Sequence, residues 1–143
     1  SYISVENIAE SGIFRMRRVK ISDAEWEIMK ALWSNASERG MTLGEIVRAL
    51  DENNMWSYTT IRTLLVRLIS KGAVTADRTT GVYRYMPALS KDECIANEVK
   101  SFVSRIFDNS PSQYIAALVR DGNLDEREKK EIKRILAEIV DKE

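Results

Sequence analysis

The residues SYTTIRTLLVRLISKGAVTADRTTGVYRYM, numbers 57–86, decide the fold of this chain. Ser57 is a strong helix N-cap, and Gly72 suits the left-handed turn that ends many helices. Between them, apolar residues recur at the i, i+3, i+4 and i+7 positions that make one helix face: Ile61, Leu64, Leu65 and Leu68. The pattern predicts a helix that buries one stripe and ends at Gly72.

Two short runs of aromatic and β-branched residues follow, at 73–77 and 82–86. The turn residues Thr79-Thr80-Gly81 separate the runs, and Pro87 ends the second one. This spacing predicts a β-hairpin. A helix that leads directly into a hairpin is typical of the recognition helix and wing of a winged helix-turn-helix, a DNA-binding domain.

Two helices are predicted upstream, each starting at a capping box in which a hydroxyl and a carboxylate bond otherwise unpaired amides. The first box is S-D-A-E, residues 22–25, and the second is T-L-G-E, residues 42–45. The first helix should end near 34–40, and the second at Asn53-Asn54. Their apolar faces comprise Trp26, Met29, Leu32 and Trp33 in the first helix, and Leu43, Ile46, Val47 and Leu50 in the second.

Three further amphipathic helices are predicted after Pro87, starting at Ser90, Pro111 and Asp125, with Gly122 ending the middle one. They carry more inward-facing apolar side chains than three short helices bury against each other, so a second copy of the chain is expected to cover the surplus. The middle helix contributes Tyr114, Ile115, Leu118 and Val119. The residues assigned to dimerisation are Ile95, Val99, Phe102, Val103, Ile106, Ile132, Ile135, Leu136 and Ile139.

The expected fold class is mainly α with a small β-hairpin. Residues 21–88 are expected to form a winged helix-turn-helix domain, and residues 89–143 a helical dimerisation domain. Residues 1–20 lie before the first predicted helix; residues 1–15 do not fit the periodic pattern, and Met16 resembles a natural start. We interpret them as a flexible arm or as an extension foreign to the natural protein.

Composition narrows the function classes. The 143 residues include no histidine and a single cysteine, Cys94, which excludes histidine-dependent catalysis, cysteine clusters and histidine-ligated metal. We therefore expect no enzyme activity, no metal site and no cofactor. Cys94 is interpreted as a packing residue rather than a redox sensor, because no cationic cluster adjoins it. No apolar run approaches the roughly 20 residues that span a bilayer, so we expect a cytoplasmic protein without a membrane partner.

The formal net charge is zero, but the charges are unevenly distributed. Residues 16–89 carry eleven Lys/Arg against eight Asp/Glu, a net charge of +3, whereas residues 90–143 carry ten against twelve, a net charge of −2. A basic segment followed by an acidic one fits a DNA-reading head with an assembly tail.

The predicted recognition helix turns a polar face away from Ile61. Arginine can bridge two guanine acceptors, a threonine or valine methyl can touch the thymine methyl, and first-turn hydroxyls suit phosphate oxygens. The face has no acidic residue between Ser57 and Lys71, which a merely solvated face explains poorly. We therefore expect double-stranded DNA as a partner. The predicted contacts are Ser57, Thr59, Thr60, Arg62, Thr63 and Arg67 on the helix, with Val66 and Ser70 on the same face, and Arg78, Thr79, Thr80 and Arg84 on the wing.

Several aromatic residues have alternative roles. Tyr83 either contacts phosphate or packs inward, and the alternation along its strand leaves both open. Trp26, Trp33 and Trp56 are interpreted as core residues rather than base-stacking platforms. Trp56 directly precedes the N-cap of the recognition helix, where a hydrophobic staple forms.

The chain resembles the penicillinase-repressor family of transcriptional regulators, which includes the BlaI, MecI and CopY types. ISDAEWEIMKALW, residues 21–33, resembles the family's opening helix; WSYTTIRTLLVRLISKG, residues 56–72, its recognition helix; and YRYMP, residues 83–87, its second wing strand. The resemblance covers about 21–140. It implies a homodimeric repressor that binds a palindromic, inverted-repeat operator, with C-terminal helices that interlock between subunits. It also puts Thr59, Thr60, Arg62, Thr63 and Arg67 at DNA-contacting positions.

The resemblance also bears on how such repressors are released. Members that respond to β-lactams are cut at an Asn-Phe bond in the first C-terminal helix, and the corresponding pair here is Ser101-Phe102. A regulatory protease is thus a candidate partner, while the inducing signal stays open. Copper-responsive members carry a C-terminal cysteine-rich motif, whereas this chain ends IVDKE, which lacks thiolate ligands for copper. The competing interpretation is a helical protein-interaction module that uses the winged helix as a scaffold.

Overall fold

The computed structural model of the chain describes residues 19–35, 37–51 and 56–141. The helices are α1 (Asp23–Ser34), α2 (Leu43–Leu50), α3 (Tyr58–Ser70), α4 (Lys91–Phe107), α5 (Pro111–Asp121) and α6 (Glu126–Asp141), and the strands are β1 (Val74–Asp77) and β2 (Arg84–Pro87). The expected fold class, mainly α with a small hairpin, is confirmed. Residues 1–18 of the predicted arm and the helix-closing pair Asn53-Asn54 lie outside the described residues.

The helices begin where the capping boxes predict. In each box, the Oγ atom of the serine or threonine accepts a hydrogen bond from the backbone amide three residues later. The carboxylate of that later residue accepts a hydrogen bond from the backbone amide of the serine or threonine. These donor–acceptor distances are 2.8–3.3 Å. Ser57 caps α3 by accepting the amide of Thr60 at 3.2 Å. The boxes pair Ser22 with Glu25, Thr42 with Glu45, and Ser90 with Glu93.

The chain divides into two compact units, the first ending at Asn97 and the second beginning at Glu98, within α4. The core of the first unit lies between α1, α2, α3 and the hairpin, and it includes the whole predicted stripe of α3. Its buried residues are Ile28, Met29, Leu32, Met41, Ile46, Leu50, Ile61, Leu64, Leu65, Leu68, Ala73, Val74 and Tyr85, with Trp33, Leu43, Val47 and Trp56 packed against them.

The apolar face of α1 is rotated from the predicted one. Ile28, absent from the prediction, is fully buried, whereas Trp26 is only half-buried and meets Trp33 edge-on. The buried stripe follows positions 25, 28, 29 and 32, and Trp26 lies beside that stripe because each residue turns the helix by about 100°. Trp26 is therefore a flanking residue rather than a core residue.

A Schellman motif ends α3. The amides of Gly72 and Ala73 bond the carbonyls of Ile69 and Leu68 at 3.0 and 2.9 Å. Gly72 has a φ of 79°, as the predicted left-handed turn requires. The chain then reverses into β1 without a linker, so the hairpin starts directly beside the recognition helix.

The hairpin strands pair antiparallel, from Val74–Pro87 at one end to Asp77–Arg84 at the other. The second strand thus begins two residues later than predicted and includes Pro87. Proline has no N–H, but the ladder continues because the next amide, that of Ala88, bonds the carbonyl before β1 at 2.8 Å.

A short bridge fixes the hairpin to the segment before α2. Met41 and Tyr85 exchange both backbone hydrogen bonds, at 2.9 and 2.7 Å. The neighbouring Gly40 has a φ of 78°. A Cβ at this position would collide with the Tyr85 carbonyl and the Met86 side chain, so only glycine lets β2 lie this close.

In the second unit, Phe102, Phe107 and Tyr114 form an aromatic cluster with ring centroids 5.3–5.8 Å apart. Val103, which the sequence assigns to the dimer interface, is buried within the single chain. Of the four apolar residues that the sequence predicts to face inward on the middle helix, three are exposed in the single chain. The exposed apolar side chains of α4, α5 and α6 are Ile95, Val99, Phe102, Ile106, Ile115, Leu118, Val119, Ile135, Leu136 and Ile139.

Candidate nucleic-acid interface

The outward face of α3 is open to solvent. Because Ile61 and Leu65 point into the core, the opposite side of the helix is left outside. Every residue of α3 and its cap that the sequence assigns to DNA contact is exposed, namely Ser57, Thr59, Thr60, Arg62, Thr63 and Arg67, together with Val66 and Ser70. The structure thus gathers the predicted helix contacts on one accessible surface.

Hydroxyl groups in the first turns of α3 are ordered by bonds within the helix. Ser57 Oγ accepts the Thr60 amide and lies 3.1 Å from Thr60 Oγ1. The Thr63 hydroxyl donates to the Thr59 carbonyl at 3.0 Å. Because this proton is used inside the helix, Thr63 offers a ligand only its oxygen lone pairs and its methyl group. The sequence alone does not indicate that restriction.

Two arginines give the face its charge. Arg62 and Arg67 form no salt bridge with any described residue. No acidic residue occurs from 57 to 76. Their guanidinium donors are therefore available to an anionic or acceptor-rich partner.

An ion pair that sequence reasoning missed holds the C-terminal end of α3. Lys71 Nζ lies 2.5 Å from Glu25 Oε1 and 2.5 Å from the Lys20 carbonyl. Glu25 is 1% exposed, and its Oε2 has no hydrogen-bond partner among the described residues. Burial raises the pKa of Glu25, but the bonds from Lys71 and Ser22 outweigh it and hold the pKa below its ordinary value. The pair ties α1 to α3 and so helps to fix the direction of α3.

The signal for this pair was present in α1. Glu25 precedes Ile28 and Met29 by three and four residues, which puts it on the buried stripe. A carboxylate on such a stripe requires a cation, because an unpaired buried charge is costly. The sequence does not say which lysine or arginine supplies it.

The wing tip is a tight, hydrogen-bonded turn. The Gly81 amide bonds the Arg78 carbonyl at 3.0 Å, and Gly81 has a φ of 83°. The Thr79 amide donates to Asp77 Oδ1 at 2.9 Å, a bond that lowers the pKa of the Asp77 carboxyl. Arg78, Thr79 and Thr80 are all exposed here, so the structure brings these three predicted wing contacts together.

Stacked rings support the arginine at this tip. The Arg78 guanidinium carbon lies 5.1 Å from the centroid of the Tyr83 ring. Tyr83 stacks in turn on Tyr85, with centroids 6.2 Å apart. Tyr83 is thus both a packing residue and an exposed one. The cation–π contact, worth about 0.5–1 kcal/mol at exposed sites, favours one orientation of the arginine.

Arg84 does not join the wing tip. Its Nη1 lies 3.7 Å from Glu45 Oε1, at the start of α2. Glu45 is held in place by Thr42, and the hydrogen bond from the Thr42 hydroxyl is the main cause of its lowered pKa. Arg84 therefore connects the hairpin to α2, whereas Arg78 projects from the turn.

An open groove of about 680 Å³ lies between the start of α2, α3 and the hairpin. Arg62 and Val66 border it from α3, Val82 and Tyr83 from the hairpin, and Leu43 from α2. Because Arg62 and Val66 also belong to the outward face of α3, the groove is continuous with that face.

Residues 21–138 match the family model described as "Penicillinase repressor". The chain belongs to the penicillinase-repressor family. It is 31% identical to the penicillinase repressor of Bacillus licheniformis, over 83% of this chain and 91% of that protein. It is 26% identical to the penicillinase repressor of Staphylococcus aureus, over 88% and 98% of the two chains. The solution structure of monomeric Bacillus licheniformis BlaI in complex with the blaP half-operator covers 52% of this chain and 87% of that chain, at 36% identity and a TM-score of 0.45.

The family match confirms the resemblance stated from the sequence. Penicillinase repressors are transcriptional regulators, not enzymes. In the described part of the chain, no three His, Cys, Asp or Glu side chains are grouped to hold a metal ion. None of the described helices combines the length and apolar character needed to cross a membrane.

Proposed function

We propose that this penicillinase-repressor family member is a homodimeric transcriptional repressor that binds an inverted-repeat operator in double-stranded DNA. The observation that carries the proposal is the exposed outward face of α3, which bears hydroxyls and two unpaired arginines and no carboxylate. An α-helix fits the major groove of B-DNA, which is about 12 Å wide. Family membership supports the same assignment.

Base reading is assigned to Arg62 and Thr63. The Arg62 guanidinium can donate to both acceptors of a guanine. Thr63, whose proton is committed to Thr59, accepts from the amino group of adenine or cytosine instead. The remaining proposed contacts are to phosphate and sugar: Ser57, Thr59, Thr60 and Arg67 from α3, and Arg78, Thr79 and Thr80 from the wing. Arg84 acts at one remove, by holding the hairpin against Glu45.

Dimerisation is assigned to residues 89–143 and DNA reading to residues 21–88. The exposed apolar side chains of the last three helices support this division. Each large side chain that a second copy buries stabilises the dimer by roughly 1.5–3 kcal/mol. A twofold dimer can place two recognition helices about 34–36 Å apart, or a multiple of that, which matches a palindrome.

We assign release of the repressor from DNA to a cut in α4. The cytoplasm is the proposed site of action. The Ser101–Phe102 bond lies inside α4, and the Phe102 ring contacts Phe107 and Tyr114 at 5.8 and 5.3 Å. A regulatory protease that cuts here needs α4 to open locally, because a helical backbone does not fit an extended substrate cleft. The cut would separate most of the dimerising helices from the DNA-reading residues.

Salt-dependent binding tests the DNA assignment. The affinity of the full chain for duplex DNA should fall steeply with salt. The logarithm of the association constant K should fall by about 0.9 per log unit of salt concentration for each phosphate neutralised. Arg67→Ala should flatten this slope. Arg39→Ala is the matched control, since it removes an exposed cation outside α3 and the wing. Binding that is absent or independent of salt would contradict the proposal and favour a protein-interaction module.

A further inference from the structure

Val66 differs from its neighbours on the outward face of α3. It is aliphatic, 57% exposed and outside the core cluster of the described residues. It follows Arg62 by four residues, so the two side chains lie on the same helix face. Both also border the groove between α3 and the hairpin. The side chain thus stands in the middle of the surface proposed to meet DNA.

We infer that Val66 is a specificity-determining residue that reads the C5 methyl group of a thymine; the inference rests on the proposed function. Thymine presents this methyl in the major groove, where an apolar side chain can cover it. The methyl groups of valine gain nothing from water, so they favour an apolar partner over a solvated position. Arg62 and Arg67 lie on either side of Val66 in sequence, and their charge suits the polyanion that carries such a methyl.

The spacing along α3 locates the thymine. Four residues advance an α-helix by about 6 Å. Consecutive bases of one strand are about 3.4 Å apart along the duplex axis. A helix lying along the groove therefore puts the Val66 thymine within about two base pairs of the base that Arg62 reads.

The test removes the C5 methyl group of one thymine from the DNA and the two γ-methyl groups of Val66 from the protein. The full chain first selects its preferred duplex from a random-sequence library, and each thymine of a half-site is then replaced in turn by deoxyuridine. One replacement should weaken the wild-type chain about fourfold, the equivalent of one buried methylene-sized group. Val66→Ala should bind the selected duplex more weakly than the wild type. Replacing that thymine by deoxyuridine should cause no further loss of affinity for this variant.

Val82→Ala is the matched control, because Val82 is 54% exposed and borders the same groove from the hairpin. This variant should keep the wild-type sensitivity to deoxyuridine. Equal losses for the wild type and Val66→Ala at every deoxyuridine would overturn the inference and leave the repressor proposal standing. A full chain that selects no duplex would overturn both. Arg62→Ala should relax specificity at one base pair. If the deoxyuridine-sensitive thymine lay more than two base pairs from it, the inference that Arg62 and Val66 read neighbouring bases would be overturned.

Discussion

The two units of the chain treat their apolar side chains differently. In the first unit, thirteen residues from α1, α2, α3 and the hairpin region form one buried cluster. In the second unit, Val103 is buried, but Ile106, Ile135 and Ile139 are 53%, 46% and 60% exposed. The helices of both units carry the same amphipathic spacing. Periodicity therefore shows which face of a helix is apolar, but not whether its own chain or another molecule covers that face.

Of the changes considered, removal of the second unit should have the largest effect on operator affinity. A fragment that ends at Asn97 keeps the bond from Trp33 Nε1 to the Leu89 carbonyl, 3.0 Å long, and the buried Cys94. It should fold as a monomer, bind a half-site, and lose about 10²–10⁴-fold in operator affinity because the second half-site no longer adds avidity. Sedimentation equilibrium and operator titration measure the two effects.

A point substitution can make the same distinction in the full chain. Ile139→Asp introduces a charge on the exposed apolar face of α6 and should produce monomers. Lys130→Asp, on the same helix at an exposed position, should leave the dimer intact. A wild-type chain that stays monomeric at micromolar concentration would refute the division of labour between the units.

Substitution of Gly40 tests how much the close approach of β2 contributes to the stability of the first unit. Gly40→Ala should destabilise the fragment ending at Asn97 by about 2–6 kcal/mol, from roughly 1–3 for a residue held at positive φ and roughly 1–3 for the collision with β2. Gly72→Ala and Gly81→Ala are matched controls, since both sites have positive φ and no atom within 4 Å of the new Cβ. Urea denaturation compares the three. Equal losses would mean that the close approach of β2 contributes nothing.

Local signals were sufficient for the elements of the first unit. The capping boxes at Ser22 and Thr42 and the stripe of α3 depend on spacings of three or four residues, which the sequence displays directly. The sequence of α1 puts Glu25 on the buried stripe but does not identify Lys71 as its partner, because the two residues are 46 positions apart. The rotation of α1 that half-exposes Trp26 follows from packing against two other helices, which no local pattern contains.

The features of the candidate site also fall into those that follow from local spacing and those that depend on side-chain rotamers or distant residues. The exposure of Arg62 and Thr63 follows from the helical period. The commitment of the Thr63 proton to Thr59 depends on a rotamer. Arg84 was grouped with Arg78 because both flank the wing turn, yet its side chain meets Glu45 from a distant helix. The sequence therefore predicts which side chains of α3 are exposed, but not the direction that each side chain takes.

The Glu25–Lys71 pair makes the stability of the first unit depend on pH. The folded-state pKa of Glu25 lies below its ordinary value of 4.5, so its contribution is fully present above pH 4.5 and is lost as the pH falls through the folded-state pKa. Glu25→Gln should cost about 1–3 kcal/mol at neutral pH, as expected for a lost hydrogen bond to a charged group. The difference from the wild type should shrink in acid.

Two further variants sharpen that result. Glu27→Gln removes an exposed carboxylate of the same helix, which pairs with Lys30 at 3.1 Å, and should cost at most about 0.5 kcal/mol. Lys71→Met leaves the buried carboxylate without its cation, so the pKa of Glu25 should rise and stability should fall as the pH increases. A pH-independent difference between the wild type and Glu25→Gln would show that the pair does not govern acid stability.

The smallest expected effect separates the two wing arginines. Arg78→Ala should lower the slope of log K against log salt by about 1 unit, because an exposed phosphate contact is lost. Arg84→Ala should leave that slope nearly unchanged, since Arg84 already faces Glu45 at 3.7 Å. Both substitutions remove one positive charge from the same hairpin, so any long-range charge effect is shared and only the local contact differs. Equal decreases in slope would show that Arg84 leaves Glu45 for phosphate when DNA binds, and that the Met41–Tyr85 bridge and the burial of Val74 and Tyr85 hold the hairpin without this ion pair.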